Sequence, residues 1–391
     1  MKVLINAMSI MERGGCGLYA RELIRGLLET KTSELSNLAV PRKVYNSIGN
    51  VKDIRFNKEM MASMAVPEEL ITSKFQGSFW HYLTLPLWEK KQGFDIFHDP
   101  AQIGGFTLRS SSKKILTIHD LSPLTHPALH PKERVLKHKY LLPRIISNTD
   151  LIVVPSNSTK VEVAELLDVD TERIMTIYPG CDHLKSETKI DFSLWKNNIG
   201  ISSPEPFIIL TVSTLESRKN IGVIVDAFDK MCCEDLGKDD IYLVIVGEWG
   251  YNGKELKNRI RVSPFRKNII ITGRIDDGTL AALYGGSSVF ACMSLKEGFG
   301  LPPMEAQFFG LPTIISSDRA LMEISGEGAL VVKLEEGNER MAEELSTHFI
   351  NIRTIPDLRK EMSGSAQRNA SKYKWSSFTQ NIMRAYRSVL G

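Results

Sequence analysis

Midway through the chain, the unbroken apolar run Phe207-Ile208-Ile209-Leu210-Thr211-Val212 begins, for the second time, an alternation of short apolar strands with amphipathic helices. In the first half, strands are expected at 2–6, 94–97, 114–118, 151–154 and 174–177, with helices near 17–30, 132–147 and 157–167. In the second half, strands follow at 241–246, 268–271, 289–292 and 312–315. Strands separated by helical stretches argue for α/β architecture with parallel sheets. A chain of 391 residues is too long for one ordinary core. Two Rossmann-like domains are therefore expected, at 1–195 and 205–372. The stretch from about 184 to 205, with mixed charge, Asn197-Asn198, Gly200 and Ser202-Ser203-Pro204, reads as the linker between them.

Composition removes several classes. Hydrophobic residues make up 42% and charged residues 24%, ordinary for a soluble globular protein. No apolar run approaches the length that spans a bilayer. Met1-Lys2-Val3-Leu4-Ile5-Asn6 reads as a first strand and not as a signal peptide, which points to the cytoplasm. The five cysteines are odd in number and two are adjacent, Cys232 and Cys233, so reduced thiols are a better reading than a disulfide scaffold. A net charge of +3 gives no reason to expect a nucleic-acid partner.

The most chemically suggestive stretch is Ser294-Leu-Lys-Glu-Gly-Phe-Gly-Leu-Pro-Pro-Met-Glu-Ala306, in which Glu297 and Glu305 stand on either side of Gly298, Gly300, Pro302 and Pro303. It follows an apolar strand. The glycines let the backbone approach a ligand, and the prolines suit the first turn of a helix carrying Glu305 near its start. Loops of this kind line the ligand crevice of an open α/β sheet, and helix-start amides attract phosphate. Carboxylates there could accept hydrogen bonds from sugar or ribose hydroxyls. On spacing alone, a capped helix with two solvated acids reads equally well.

Four further loops attract attention. Arg13-Gly14-Gly15-Cys16-Gly17 lies between the first strand and a helix, where exposed amides can meet a phosphate; its fit to G-x-G-x-x-A is too weak for a dinucleotide fingerprint. His119 and Asp120 lie just past an apolar strand end. Arg218 and Lys219 follow the first strand of the second half, beside a helix start that suits a diphosphate. The stretch Gly247 to Gly253-Lys254 has one residue too many for a phosphate loop and lacks the magnesium-binding hydroxyl, so it reads as a flexible pocket wall. No metal site is expected: Asp168-Val169-Asp170 falls in a helix-to-strand turn, with Asp170 suited to capping, and His126, His130 and His138 lack a partner at ligand spacing.

The Glu-x7-Glu stretch with this glycine and proline filling resembles the signature of retaining glycosyltransferases of family 4, which have the GT-B fold, two Rossmann-like domains with mostly parallel sheets facing across a cleft. The resemblance recurs along nearly the whole chain. It implies that Glu297 contacts the transferred sugar and Glu305 the ribose, with Gly298, Phe299, Gly300 and Leu301 lining the donor. It places Gly15 beside the donor diphosphate, His119 at the reacting sugar and Arg274 at the nucleotide base. Lys219 matches the family's lysine. Many members carry arginine where this chain has Thr214, a charge that Arg218 would replace. A last segment, 373–391, would cross back to the first domain. Transfer would need neither metal nor cofactor. His-Asp-Leu-Ser-Pro and Thr-Leu-Glu-Ser-Arg-Lys-Asn look most like bacterial mannosyltransferases of surface-polysaccharide assembly, O-antigen included. That implies GDP-mannose as donor, with UDP-sugars next, and a saccharide or lipid-linked oligosaccharide acceptor. A nucleotide-sugar-binding partner protein without turnover is the alternative. The mixed basic and apolar stretch 131–144 suits peripheral contact with the inner face of a membrane and, equally, an ordinary solvated helix face.

Overall fold

The computed structural model describes residues 1–6, 14–29, 37–39, 85–100, 102, 104–106, 110–184, 192, 195, 196, 199, 201, 203–234 and 240–391. Arg13 and most of 184–205 lie outside the described residues. The chain divides into two compact units, residues 1–179 with 375–391, and residues 180–374.

In the first unit, β1 (Val3–Asn6), β2 (Asn37–Ala39), β3 (Ile96–Asp99), β4 (Lys113–Thr117), β5 (Leu151–Val154) and β6 (Ile174–Thr176) form one parallel sheet in the order β2-β1-β3-β4-β5-β6. The strands are short and apolar because helices cover the sheet. Phe97, Phe106, Leu116, Leu142, Ile145 and Ile152 belong to one buried cluster. The chain departs to opposite sides of β1, so the topological switch point lies between β1 and β3.

The helix Gly15–Glu29 packs on the C-terminal helix Trp375–Ser388. The Tyr19 and Phe378 rings meet edge to face at 5.0 Å. A Cβ at Gly26 would stand 1.9 Å from Thr379 Oγ1, so the helices approach where only glycine fits. Tyr386 OH lies 2.7 Å from His98 Nδ1, and His98 Nε2 lies 2.9 Å from Thr117 Oγ1. Burial pushes the His98 pKa down to about 3, so the ring is neutral, one nitrogen donating and the other accepting.

The helix expected at 132–147 is present over 132–146, with a π turn at Lys137–Leu141. His138 Nδ1 is 2.8 Å from the Arg134 carbonyl and its Nε2 is 3.0 Å from Gln102 Nε2. Leu136 and Tyr140 are 53% and 67% exposed.

In the second unit, β7 (Phe207–Val212), β8 (Ile241–Val246), β9 (Ile269–Gly273), β10 (Val289–Cys292), β11 (Thr313–Ser316) and β12 (Ala329–Val332) form a parallel sheet in the order β12-β11-β10-β7-β8-β9. Its switch point lies between β7 and β10. One face carries the helix Ile221–Glu234, whose Val225, Phe228 and Met231 share a core with Leu345 and Phe349 of the helix Gly337–Thr354.

The expected linker differs from a bare tether. Leu184 and Ile201 are buried in the second unit's core with Phe192, Trp195 and Ile199 packed against it. Phe192 stacks on Trp195, and a Cβ at Gly286 would stand 2.6 Å from the Phe192 ring. These described residues therefore belong to the second unit's core, and the boundary of that unit falls at Pro179/Gly180.

Candidate active site

The switch point of the second sheet organises the site. The loop after β7 carries Arg218 and Lys219 on a single 3-10 turn, Ser217–Lys219. The loop after β10 carries Glu297 and runs into the helix Leu301–Phe308. Leu295 N donates to the Arg218 carbonyl at 2.8 Å and ties the two loops. Lys219 Nζ forms an ion pair with Glu297 Oε1. Arg218 Nη1 stands 3.5 Å from Glu297 Oε2, and its Nε stands 2.5 Å from Glu216 Oε1. Ser294 Oγ donates to Glu297 Oε1 at 2.8 Å. Burial pushes the Glu297 pKa up, but Lys219 and Arg218 outweigh it and hold the carboxyl below its usual range. This is a preorganised cluster of two cations around one carboxylate. An incoming diphosphate can share the cations, leaving Glu297 to accept hydrogen bonds from a hydroxyl.

Sequence reasoning missed the residues that aim this loop. Asp318, after β11, caps the helix Arg319–Ser325 by accepting from Ala320 N and Leu321 N at 3.1 Å each. The same carboxylate accepts from the Glu297 amide and lies 3.8 Å from Lys296 Nζ. Burial raises its pKa to about 6 in spite of Lys296 and these amides. Ser316 Oγ donates to the Ser294 carbonyl at 2.5 Å. The neighbouring strand's loop thus splints the Glu297 loop. The only sequence signal was a Ser-Ser-Asp triplet at a strand end.

Gly300 has φ +98°, and a Cβ there would meet Leu321 Cδ2 at 2.5 Å, so this position requires glycine. Pro302 and Pro303 fill the first turn that follows and have no N–H. The expected array of helix-start amides is therefore reduced. Glu305 lies in the second turn, not at the start, and is only 5% exposed. Tyr284 OH donates to its Oε2 at 2.7 Å, and His183 Nε2 stands 3.4 Å from its Oε1. Burial pushes its pKa up to about 7, with the Tyr284 bond opposing and Asp277 reinforcing the shift. Tyr284 and His183 were not singled out in the sequence, because each lies far from the motif along the chain.

Arg274 follows β9 and is exposed, beside Asp276, which caps the helix Asp277–Gly286 by accepting from Thr279 N at 2.9 Å. The loop after β8 is pinned rather than loose. Leu215 N donates to the Glu248 carbonyl at 2.8 Å and Gly250 N to the Leu215 carbonyl at 3.1 Å. A Cβ at Gly247 would lie 1.8 Å from the Ser213 carbonyl oxygen.

In the first unit, Gly15 is the first residue of its helix, with Cys16 next. His119 Nε2 is 2.8 Å from the Pro100 carbonyl, and its ring meets Tyr19 edge to face at 4.9 Å. Burial lowers the His119 pKa, but Cys16, the Pro100 carbonyl and Asp120 outweigh it and raise it to about 9. Asp170 caps a turn by accepting from Glu172 N at 3.0 Å, and Asp168 closes the preceding helix at φ +50°. Among the described residues no group of three or more His, Cys, Asp or Glu side chains is placed to hold a metal ion. No helix among them is long and apolar enough to cross a membrane.

Two family models match the chain: Glycosyltransferase Family 4 over residues 55–184 and Glycosyl transferases group 1 over residues 195–369. The chain belongs to the GT-B glycosyltransferases of family 4. The enzyme is 25% identical over 295 residues to O-antigen chain mannosyltransferase B of Escherichia coli, covering 75% of this chain and 74% of that one. It is also 25% identical over 287 residues to the serotype-specific mannosyltransferase WbdA of Escherichia coli, but spans only 34% of that protein. Among solved structures, the enzyme's fold matches sucrose-phosphate synthase from Thermosynechococcus elongatus with a TM-score of 0.74 at 18% identity, covering 99% of this chain and 98% of that one. It matches Anabaena HepE, solved in complex with UDP-glucose, with a TM-score of 0.74 at 16% identity, covering 99% and 100%.

Proposed function

We propose that the enzyme is a hexosyltransferase that moves mannose from GDP-mannose to a saccharide or lipid-linked saccharide with retention of anomeric configuration and without a metal. The observation that carries this reading is the pair Arg218 and Lys219 gathered on Glu297 at the switch point of the second sheet. The two cations stabilise charge growing on the departing diphosphate, the electrostatic task a metal would otherwise perform. Glu297 orients the sugar and Glu305 the ribose. Gly15 and its neighbours flank the diphosphate, and Arg274 faces the base. The family resemblance supports a role for His119 at the reacting sugar. For retention, the leaving phosphate helps to deprotonate the acceptor hydroxyl, so no protein nucleophile is needed.

Mannose is supported by the mannosyltransferase relatives. A UDP-sugar donor is the second reading, since a protein of like fold is solved with UDP-glucose. The basic stretch 131–144, with Leu136 and Tyr140 exposed, suits peripheral contact with an anionic membrane during work on a lipid-linked acceptor. A panel of nucleotide sugars scored by ligand-dependent thermal shift tests the donor. GDP-mannose should stabilise most; a larger shift with a UDP-sugar would reassign the base and the sugar, and none with any member would refute donor binding.

A further inference from the structure

The Glu305 carboxyl is buried, and four groups face it. Tyr284 and Asp277 face it from the helix Asp277–Gly286, and Cys181 and His183 from the turn that opens the second unit. Tyr284 donates one hydrogen bond and Asp277 repels. Burial pushes the Cys181 thiol up to about 12, so it contributes no charge near neutral pH. Of these four groups only His183 can carry positive charge. Its Nε2 stands 3.4 Å from Glu305 Oε1, and the two side chains are 7% and 6% exposed. The turn is held independently of that contact: Cys181 N donates to the Tyr373 carbonyl at 3.1 Å, and Cys181 Sγ to the Ala370 carbonyl at 3.5 Å. His183 is thus presented to the carboxylate by a fixed piece of backbone.

We propose that His183 is a positioning residue of the nucleotide subsite, pairing with Glu305 so that this carboxylate stays ionised and able to accept both ribose hydroxyls. The proposal rests on the reading that Glu305 holds the donor's ribose. A protonated carboxyl has lost part of its accepting capacity, so donor affinity follows the ionised fraction of Glu305. Burial holds the midpoint of that titration near 7. Removing a charge partner at this distance should move it up by about one pH unit. The ionised fraction at pH 7 then falls about fivefold, at pH 6 about tenfold, and at pH 9 hardly at all.

The experiment is calorimetric titration of the full chain with GDP and with UDP at pH 6, 7 and 9. Wild type is compared with His183→Ala, His183→Gln and Glu305→Gln, and all are checked for folding by thermal melt. Both His183 variants should bind the preferred diphosphate about fivefold more weakly at pH 7 and about tenfold more weakly at pH 6, with affinity restored at pH 9. Turnover at saturating donor should change little beside the rise in KM. His183→Gln keeps the size and a hydrogen bond, so it answers the question if the alanine variant does not fold. Loss of affinity by the same factor at every pH would reduce His183 to a packing residue and overturn the proposal. So would wild-type affinity throughout in the His183 variants while Glu305→Gln binds weakly. Normal binding by Glu305→Gln at every pH would overturn the ribose reading itself, and the proposal with it.

Discussion

Replacing Lys219 with alanine should separate two consequences of one ion pair. Lys219 and Glu297 are each 12% exposed. Breaking a fully buried pair costs about 3–5 kcal/mol, and an exposed one contributes about 0–1 kcal/mol. Arg218 and Ser294 remain on Glu297 after the change, so Lys219→Ala should lose about 2 kcal/mol of stability at pH 7. The Glu297 carboxyl is held below its usual value of 4.5 against the pull of burial, chiefly by Lys219. A depressed carboxyl pKa contributes stability that is present above the unfolded value and lost as pH falls through the folded one. The gap between wild type and variant should therefore close below about pH 4. Urea denaturation at pH 7 and at about pH 3, below the folded-state titration, measures this. Turnover should fall by about 10²–10³, the scale for losing one group preorganised on developing charge. Wild-type turnover in Lys219→Ala, with a stability gap that ignores pH, would remove the lysine from the reaction and leave it a packing residue.

Glu305→Gln should stabilise the ligand-free protein by about 2–3 kcal/mol at pH 8 and by little at pH 4, because the folded state favours the protonated carboxyl and the cost of ionising it appears as pH rises from about 4.5 to about 7; denaturation at the two pH values checks the sign. Gly26→Ala should cost about 1–3 kcal/mol by driving a methyl group into Thr379, and Thr379→Ala should recover much of it; additive losses in the double variant, read by thermal melts, would contradict this helix contact. Activity should survive EDTA, and Asp168→Asn with Asp170→Asn should keep most of it; a loss restored specifically by manganese would refute the metal-independent mechanism.

The parts of the fold readable in advance are those whose signal is continuous along the chain. β7 and β8 are six-residue apolar runs, buried throughout except for the half-buried Val212 that ends β7, and their period and length admit little else. β2, Asn37–Ala39, has no run of branched apolar residues, and the helix Leu85–Gln92 mixes apolar and basic residues without clear periodicity. The site divides in the same way. Glu297 and its glycines sit within one motif. The contacts that tune them, from Lys219, Asp318, His183 and Tyr284, come from other strands' loops and from helices, and become neighbours only once the sheet order places β7 beside β10 and β10 beside β11. Glu305 reads in sequence as a helix-start acid, but it emerges buried because Pro302 and Pro303 occupy the first turn and move it to the second.

The division of labour between Glu297 and Glu305 is tested most directly by calorimetric titration of Glu297→Ala and Glu305→Ala with nucleoside diphosphate, beside turnover with the full donor. Glu305→Ala should weaken the diphosphate by about 1–3 kcal/mol, the cost of leaving buried hydrogen-bond partners unmatched. Glu297→Ala should bind the diphosphate almost as wild type does, because that ligand has no sugar to hold, and should lose turnover. The reverse pattern would exchange the two roles, and wild-type binding with wild-type turnover in both variants would contradict the assignment of this site altogether.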